Sequence, residues 1–191
     1  MGRLNVNRDV EMVLQEEMEP RERLLWSGQP RQGIVLRASD IFMIPFSLLW
    51  GGFALFWEYS VIASDAPLFF ALFGVPFVLV GLYVVIGRFY VEAKQRENTI
   101  YGVSTDRIII MSGLLQRKVK SLILRTLSDV SVSEFRDGSG SIAFGSSFPL
   151  AAWFGGIAWP GMEQFMGPRF DSIQNVKQVH QVIREAQRKA A

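Results

Sequence analysis

Two long apolar blocks, residues 41–57 and 68–86, constrain this chain more than any other feature. Neither block contains Lys, Arg, Asp or Glu, and each is about as long as a helix that crosses a hydrocarbon layer of about 30 Å. The blocks therefore predict a transmembrane helical hairpin, which we place at residues 41–87. Small residues would let its helices approach closely: Gly51, Gly52, Ala54, Gly74 and Gly81.

Composition favours lipid over a protein interior around these blocks. The chain has 191 residues, 49% of them hydrophobic, and the apolar residues are concentrated in the two blocks. The alternative is a buried hairpin in a soluble fold, but a soluble helix rarely stays apolar on every face over such a length. The chain contains no Cys, which excludes disulfides, thiol nucleophiles and thiolate metal sites.

The distribution of charge predicts the orientation of the hairpin. The net charge is only +2, and the connection between the blocks carries only Glu58 and Asp65. Basic residues flank the blocks on their other side: Arg31, Arg37, Arg88, Lys94 and Arg96. By the positive-inside rule both termini face the cytoplasm and the connection faces outward. The first apolar block begins too late for a signal peptide, so we expect the hairpin to remain as an anchor.

The segment before the hairpin is predicted to be a short polar lead-in. An amphipathic helix is expected over residues 9–18, with Asp9 as its cap. A following apolar run that includes Trp26 indicates a strand or an extended segment. Trp26 could lie at the lipid headgroups or pack on the later domain, and we favour packing. Ser39 or Asp40 is expected to cap the first membrane helix.

The residues after the hairpin predict an antiparallel sheet that ends in a helix. Runs of β-forming residues, separated by turn residues, occupy residues 97–103, 107–111, 114–124 and 127–133, and the alternation continues at Ile142 and Phe144. Apolar residues over 172–188 recur at the spacing of one helical face. We therefore predict an α+β membrane protein in three parts: a cytoplasmic lead-in (1–40), the hairpin (41–87) and a cytoplasmic domain (88–191) with a bent sheet covered by its C-terminal helix.

Three short motifs accompany this arrangement. Residues 22–30 read ERLLWSGQP, residues 101–107 read YGVSTDR, and residues 140–142 read GSI. With the hairpin between the first two, they resemble the bacterial pleckstrin-homology-like (PH-like) family of membrane-anchored proteins. The resemblance implies a PH-like fold and a non-catalytic binding or scaffolding domain at the bacterial inner membrane. An apolar insertion at residues 146–168 departs from the family pattern.

The insertion is rich in aromatic residues interleaved with Gly and Pro. Because Gly and Pro break long helices, the segment is predicted to be a loop or a short helical turn. Exposing so many aromatic side chains is costly, which leaves three interpretations open: insertion into the membrane interface, contact with a protein partner, or folding back on the sheet. The residues expected to contact lipid or a partner are Trp153, Phe154 and Trp159.

The densest basic patch comprises Arg117, Lys118, Lys120 and Arg125. Near an anionic leaflet each of these residues could contribute roughly 1 kcal/mol of attraction. A solvated edge strand, protected from aggregation by its charges, explains the same pattern. Both interpretations stay open, and the four residues join the aromatic ones as candidates for lipid or partner contact.

No residue pattern indicates an enzyme, a cofactor, a metal site or nucleic-acid binding. His180 is the only histidine, and Glu185 alone does not complete a set of metal ligands. No spacing singles out a nucleophile, residues 138–145 lack the context of a phosphate loop, and the basic residues are balanced by acids. A transport path would need polar or ionisable side chains within the membrane, and the apolar blocks contain only Ser47 and Tyr83 as candidates.

The expected function is therefore placement of a binding domain at a membrane. The hairpin would confine the domain to the bilayer surface, where it binds a protein partner or the anionic lipid surface and scaffolds an assembly. The alternative is an accessory subunit or assembly factor of a larger integral-membrane complex, packed through the hairpin and the aromatic loop. A homo-oligomer is a further arrangement consistent with the sequence, whereas a membrane enzyme has no residue evidence.

Overall fold

The computed structural model describes residues 6–36, 40–113, 116–145 and 167–190. It contains two long apolar helices followed by antiparallel sheets and a C-terminal helix, which confirms the predicted α+β class. The helices are α1 (Val6–Glu16), α2 (Asp40–Ala63), α3 (Leu68–Leu82), α4 (Arg88–Glu97) and α5 (Val176–Ala190). The strands are β1 (Leu24–Gly28), β2 (Ile100–Ser104), β3 (Arg107–Ser112), β4 (Lys118–Ile123), β5 (Val130–Glu134), β6 (Gly140–Phe144) and β7 (Arg169–Ile173).

The strands form two antiparallel meanders. The first sheet has the order β1-β2-β3-β4 and the second the order β5-β6-β7. Because side chains alternate between the faces of a strand, Val103, Ile108 and Ile110 of the first sheet share one core with Ile142 and Phe170 of the second. The apolar face of α5 closes this core with four fully or nearly fully buried side chains: Val176, Val179, Ile183 and Ala186.

β1 and β2 are neighbours in the first sheet although the whole hairpin lies between them in the chain. Trp26 pairs with Val103, and Gly28 pairs with Tyr101. The lead-in thus contributes a strand to the domain, and the hairpin is an insertion between two paired strands. The sheet end at which β1 ends and β2 begins is the proximal end, and the opposite end, at the β2–β3 turn with Asp106, is the far end.

The lead-in also packs on both faces of the first sheet. As predicted, Trp26 packs on the domain, and its ring centroid lies 5.6 Å from that of Phe170. On the other face, α1 covers Ile109 and Met111 through the fully buried side chain of Leu14. Burying a leucine side chain stabilises a fold by about 2 kcal/mol. Residues before the hairpin therefore complete the domain that follows it.

The two apolar helices pack against each other through glycine. A Cβ atom on Gly81 would lie 3.1 Å from the Cα of Gly51, whereas a Cβ on Gly52 meets nothing within 4 Å. Of the predicted small residues, Gly51 and Gly81 thus lie in the interface, and Gly52 lies outside it. Both α2 and the continuous helix Leu68–Glu97 are long and apolar enough to cross a membrane.

Two features of the hairpin differ from the sequence prediction. Glu58 lies inside α2, and its Oε2 atom is buried against Gly74 of α3. The second helix does not end near residue 86, because a π-turn (Tyr83–Gly87) continues it directly into α4. Residues 68–97 are therefore one continuous helix.

Five predicted boundaries also need correction. The strand predicted at residues 114–124 spans Lys118–Ile123, and the strand predicted at residues 127–133 spans Val130–Glu134. Asp9 lies within α1 and does not precede it, and the strand predicted from residue 97 begins at Ile100 because the helix extends to Glu97. The closing helix begins at Val176 rather than at residue 172. Residues up to Ile173 instead pair with β6, so the sheet ladder overrides the helical spacing there.

Candidate functional site

The candidate functional site is the junction between the hairpin and the sheets, where α4 carries buried charges. Arg88, Glu92 and Arg96 are 2%, 7% and 8% exposed. A spacing of four residues places all three on one face of the helix. The sequence had identified Arg88 and Arg96 only as basic flanks of the membrane segment. The structure adds Glu92 and makes the three residues a buried charged ladder.

The first step of the ladder joins the start of α2 to the helix that continues α3. Arg88 Nη2 lies 2.8 Å from Oδ1 of Asp40, and both side chains are more than nine-tenths buried. The guanidinium carbon of Arg88 also lies 4.3 Å from the ring centroid of Phe89. Asp40 is the first residue of α2, so its carboxylate serves as the buried partner of a charge on the second helix.

The second step of the ladder joins α4 to the segment that follows β1. Arg96 Nη1 lies 3.5 Å from Glu92 Oε2, and both side chains are buried. The side-chain amide of Gln32 donates to the carbonyl oxygen of Arg96 at 3.2 Å and to that of Pro30 at 2.8 Å. The chain leaving the sheet therefore returns alongside α4 toward α2. The buried ion pairs and the Gln32 hydrogen bond hold α4 against α2 and against the segment that follows β1.

The proximal end of the sheets presents exposed side chains around this junction. The β5–β6 turn carries Phe135, which is 62% exposed, and Arg136. The same turn is tied to the lead-in, because Arg31 Nη1 lies 3.4 Å from Asp137 Oδ2. A hydrogen bond from the Ser139 hydroxyl lowers the pKa of Asp137, and the Ser139 backbone N–H and Arg31 lower it further.

The structure separates the predicted basic patch into two places. Arg117 and Lys118 lie where β4 begins, at the proximal end, and Arg117 pairs with Glu17 at 3.2 Å. Lys120 is exposed on β4, while Arg125 lies on the 3-10 turn after it, at the far end. Contact of any of them with lipid or a partner stays a prediction.

The aromatic part of the predicted contact site lies outside the described residues. Trp153, Phe154 and Trp159 fall within residues 146–166, so the three interpretations of the insertion stay open. Among the residues that the structure does describe, no group of three His, Cys, Asp or Glu side chains could hold a metal ion. The pKa of His180 is lowered by burial and by the neighbouring guanidinium of Arg184.

Sequence reasoning missed two parts of the junction, and each left a signal. The spacing of Arg88, Glu92 and Arg96 repeats every four residues directly after an apolar block, which is the period of a helix that continues beyond it. Asp40, at the start of the first block, is the acidic complement of that stripe. Comparisons with known protein families, curated proteins and solved structures find no match to this chain.

Proposed function

We propose that this protein is a membrane-anchored binding or scaffolding protein that presents a PH-like domain at the cytoplasmic face of a bacterial inner membrane. The pairing of β1 with β2 carries the proposal. If the inserted hairpin spans a bilayer, both of its ends must emerge on one face, because the residues on either side of it belong to neighbouring strands. The basic residues that flank the hairpin favour the cytoplasmic face.

The outer surface of the hairpin supports lipid as its surroundings. Phe42, Leu49 and Phe69 are 80%, 75% and 70% exposed, and similar side chains cover both helices. Contiguous apolar surface of this extent would be unfavourable in water by about 25 cal/mol for each Å². A bilayer removes that cost without any change in the fold. The same surface would also suit the transmembrane helices of a larger complex.

The order and geometry of the strands support the PH-like part of the proposal. Two antiparallel meanders closed by a C-terminal helix agree with the bent, helix-covered sheet that the resemblance implies. The YGVSTDR motif forms β2 and its turn into β3. Within that turn, the hydroxyl of Ser104 accepts the backbone N–H groups of Asp106 and Arg107 at 3.2 and 3.0 Å. These hydrogen bonds give the motif a structural role in the turn between β2 and β3.

The mechanism that follows is positioning by a rigid helical connection. α4 has 10 residues, so it extends about 15 Å beyond the inner ends of the apolar helices. The headgroup layer occupies several of these ångströms, which leaves the proximal end within about one Debye length, ~8 Å, of an anionic surface. Exposed Lys118 and Arg136 at that end would be attracted to the leaflet. Confinement to the bilayer raises the effective concentration of any partner.

Membrane fractionation with chemical crosslinking tests this proposal. The chain should remain in the membrane pellet after a carbonate wash and enter solution only with detergent. Recovery in the supernatant without detergent would contradict the proposal. Purification in mild detergent then separates the two membrane roles. A stoichiometric integral-membrane partner would support the accessory-subunit alternative, and a free monomer or homo-oligomer that crosslinks to soluble proteins would support the scaffold.

A further inference from the structure

The exposed side of α5 carries a stripe of nitrogen-bearing side chains, of which Lys177, Arg184 and Arg188 are positively charged. At about 100° per residue, Lys177, His180, Arg184 and Arg188 fall on one flank of this helix, next to its buried face. The one acidic residue of α5, Glu185, is turned roughly 100° away from Arg184. Lys177 is paired with Glu134 at 2.8 Å. Arg184 and Arg188 are exposed and form no ion pair with any other described residue.

An open cavity of about 570 Å³ lies along the same flank. Its described lining consists of His180, Gln181, Arg184, Gln187 and Arg188. Gln181, Arg184 and Arg188 carry exposed N–H donors, and none of the described lining residues is a carboxylate. Guanidinium groups bind carboxylate and phosphate oxygens in a two-pronged arrangement, with hydrogen bonds shorter and stronger than those between neutral groups. The cavity therefore has the chemistry of a site for anions.

The packing of α5 holds these donors in place. Ile183 and Ala186 are buried in the shared core, which fixes the rotation of the helix. The side-chain amide of Gln187 lies within hydrogen-bond distance of the carbonyl oxygens of Leu124 and Leu127, at 3.5 and 3.3 Å. This clamp holds the end of α5 over the 3-10 turn that carries Arg125. A third exposed guanidinium thus lies at the same end of the domain.

The groove lies toward the end of the domain that is opposite to the hairpin. α5 begins at the proximal end, where the N–H of Val176 donates to the carbonyl oxygen of Gly138. It ends at the 3-10 turn, where the N–H of Leu124 donates to the carbonyl oxygen of Asp106 at the far end. Given the proposed membrane attachment, the arginines of this groove face away from the bilayer. The arginines are then open to molecules in solution and not to the bilayer surface.

We propose that this groove binds an acidic segment of a soluble protein partner in an extended conformation. Arg184 and Arg188 are separated by about 6 Å along the helix, which matches the ~6.8 Å between alternate side chains of an extended strand. The donors are spread along two turns instead of converging on one point, so they suit successive carboxylates better than one small anion. The inference rests on the proposed function only for the position of the groove relative to the membrane.

Fluorescence anisotropy with the full-length chain in phosphatidylcholine nanodiscs tests the proposal. The probe is a fluorescein-labelled synthetic peptide of alternating Glu and Ser. The variant Arg184→Gln/Arg188→Gln should weaken binding about tenfold or more. The matched control, Arg21→Gln/Arg23→Gln, removes the same charge from two exposed arginines just before β1 and should change the affinity less than about twofold. Arg184→Lys/Arg188→Lys keeps the charge but loses the two-pronged geometry, and should lie in between.

Three results would contradict the proposal that the groove binds an acidic segment. The first is no measurable binding of the peptide to the parent chain. The second is equal weakening by both pairs of glutamine substitutions, which would mean general attraction between charges. The third is displacement of the peptide by nanodiscs rich in phosphatidylglycerol, which would assign the arginines to lipid. A chain that fractionates with membranes but fails here contradicts the groove alone, and a soluble chain that binds the peptide contradicts only the membrane role.

Discussion

Arg107 holds Glu22 in a two-pronged ion pair that links the segment before the hairpin to β3. Arg107 Nε lies 2.8 Å from Glu22 Oε1, and Nη2 lies 3.0 Å from Oε2. The same Nη2 atom donates to the carbonyl oxygen of Glu17 at 2.8 Å. The Glu22 side chain is 5% exposed and that of Arg107 is 22% exposed. One guanidinium therefore binds the lead-in to the sheet, although the two residues are 85 positions apart in the chain.

Removing this guanidinium should destabilise the domain. Arg107→Met leaves the buried Glu22 carboxylate without its cation, which we expect to cost about 3 kcal/mol and to lower Tm by roughly 6 °C or more. Adding Glu22→Gln should recover part of that loss, because the uncompensated charge disappears. Thermal unfolding in detergent measures both effects. The control is Arg125→Met at an exposed site, and an equal loss in that variant would contradict a specific role for the pair.

The pair between Arg88 and Asp40 should be as important for the hairpin. Arg88→Leu leaves a buried carboxylate unpaired at the start of α2, with an expected cost of about 3 kcal/mol. The double variant Arg88→Leu/Asp40→Asn should be more stable than Arg88→Leu alone. Unfolding of the parent, Arg88→Leu, Asp40→Asn and the double variant, measured in one detergent, gives the coupling energy between the two side chains. Simple additivity of the two substitutions would show that the residues do not act as a pair.

Close packing of the apolar helices predicts opposite results at two glycines. Gly81→Leu should lower stability by about 2 kcal/mol or more, because its side chain must displace the backbone at Gly51. Gly52→Leu is the matched control, since its Cβ would meet nothing within 4 Å, and should change stability by less than about 0.5 kcal/mol. Resistance to heating in detergent is the readout. A loss in the Gly52 variant equal to that in the Gly81 variant would place the interface elsewhere.

The lowered pKa of His180 predicts a loss of stability in mild acid. Burial and Arg184 hold the folded-state pKa below its ordinary value of 6.5, so the unfolded chain takes up the proton first. The contribution of neutral His180 to the free energy of unfolding is fully present above about pH 6.5. It is lost as pH falls from there through the folded-state pKa. Between about pH 8 and pH 5 the melting temperature should therefore fall less in His180→Gln than in the parent. The same change of melting temperature with pH in both chains would contradict the lowered pKa of His180.

Local patterns were sufficient to predict most of the elements. The charge-free blocks predicted the two apolar helices, and the alternation at Ile142 and Phe144 predicted a strand with both side chains buried. The apolar spacing after residue 172 predicted a closing helix, although the helix begins at Val176. These features depend on residues near one another in the chain, so hydrophobic period alone decides them.

Features that depend on distant residues were not visible in the sequence. The pairing of Gly28 with Tyr101 joins two strands across the entire hairpin, and no local period encodes such a partner. Glu58 was assigned to the connection because a charge usually ends a membrane block, yet packing against Gly74 keeps it inside α2. The Asp40 pairing likewise requires the geometry of both helices. The groove along α5 was missed because single basic residues on a helix are usually solvated.

Labelling of single cysteines in intact cells tests the central claim most directly, since the chain has no native Cys. The sites are Ser64, exposed at the tip of the hairpin, and Ser128, exposed in the domain at its far end. A membrane-impermeant maleimide should label Ser64→Cys in intact cells and label Ser128→Cys only after lysis. Labelling of Ser128→Cys in intact cells, or protection of Ser64→Cys until lysis, would contradict a hairpin that spans the membrane from a cytoplasmic domain.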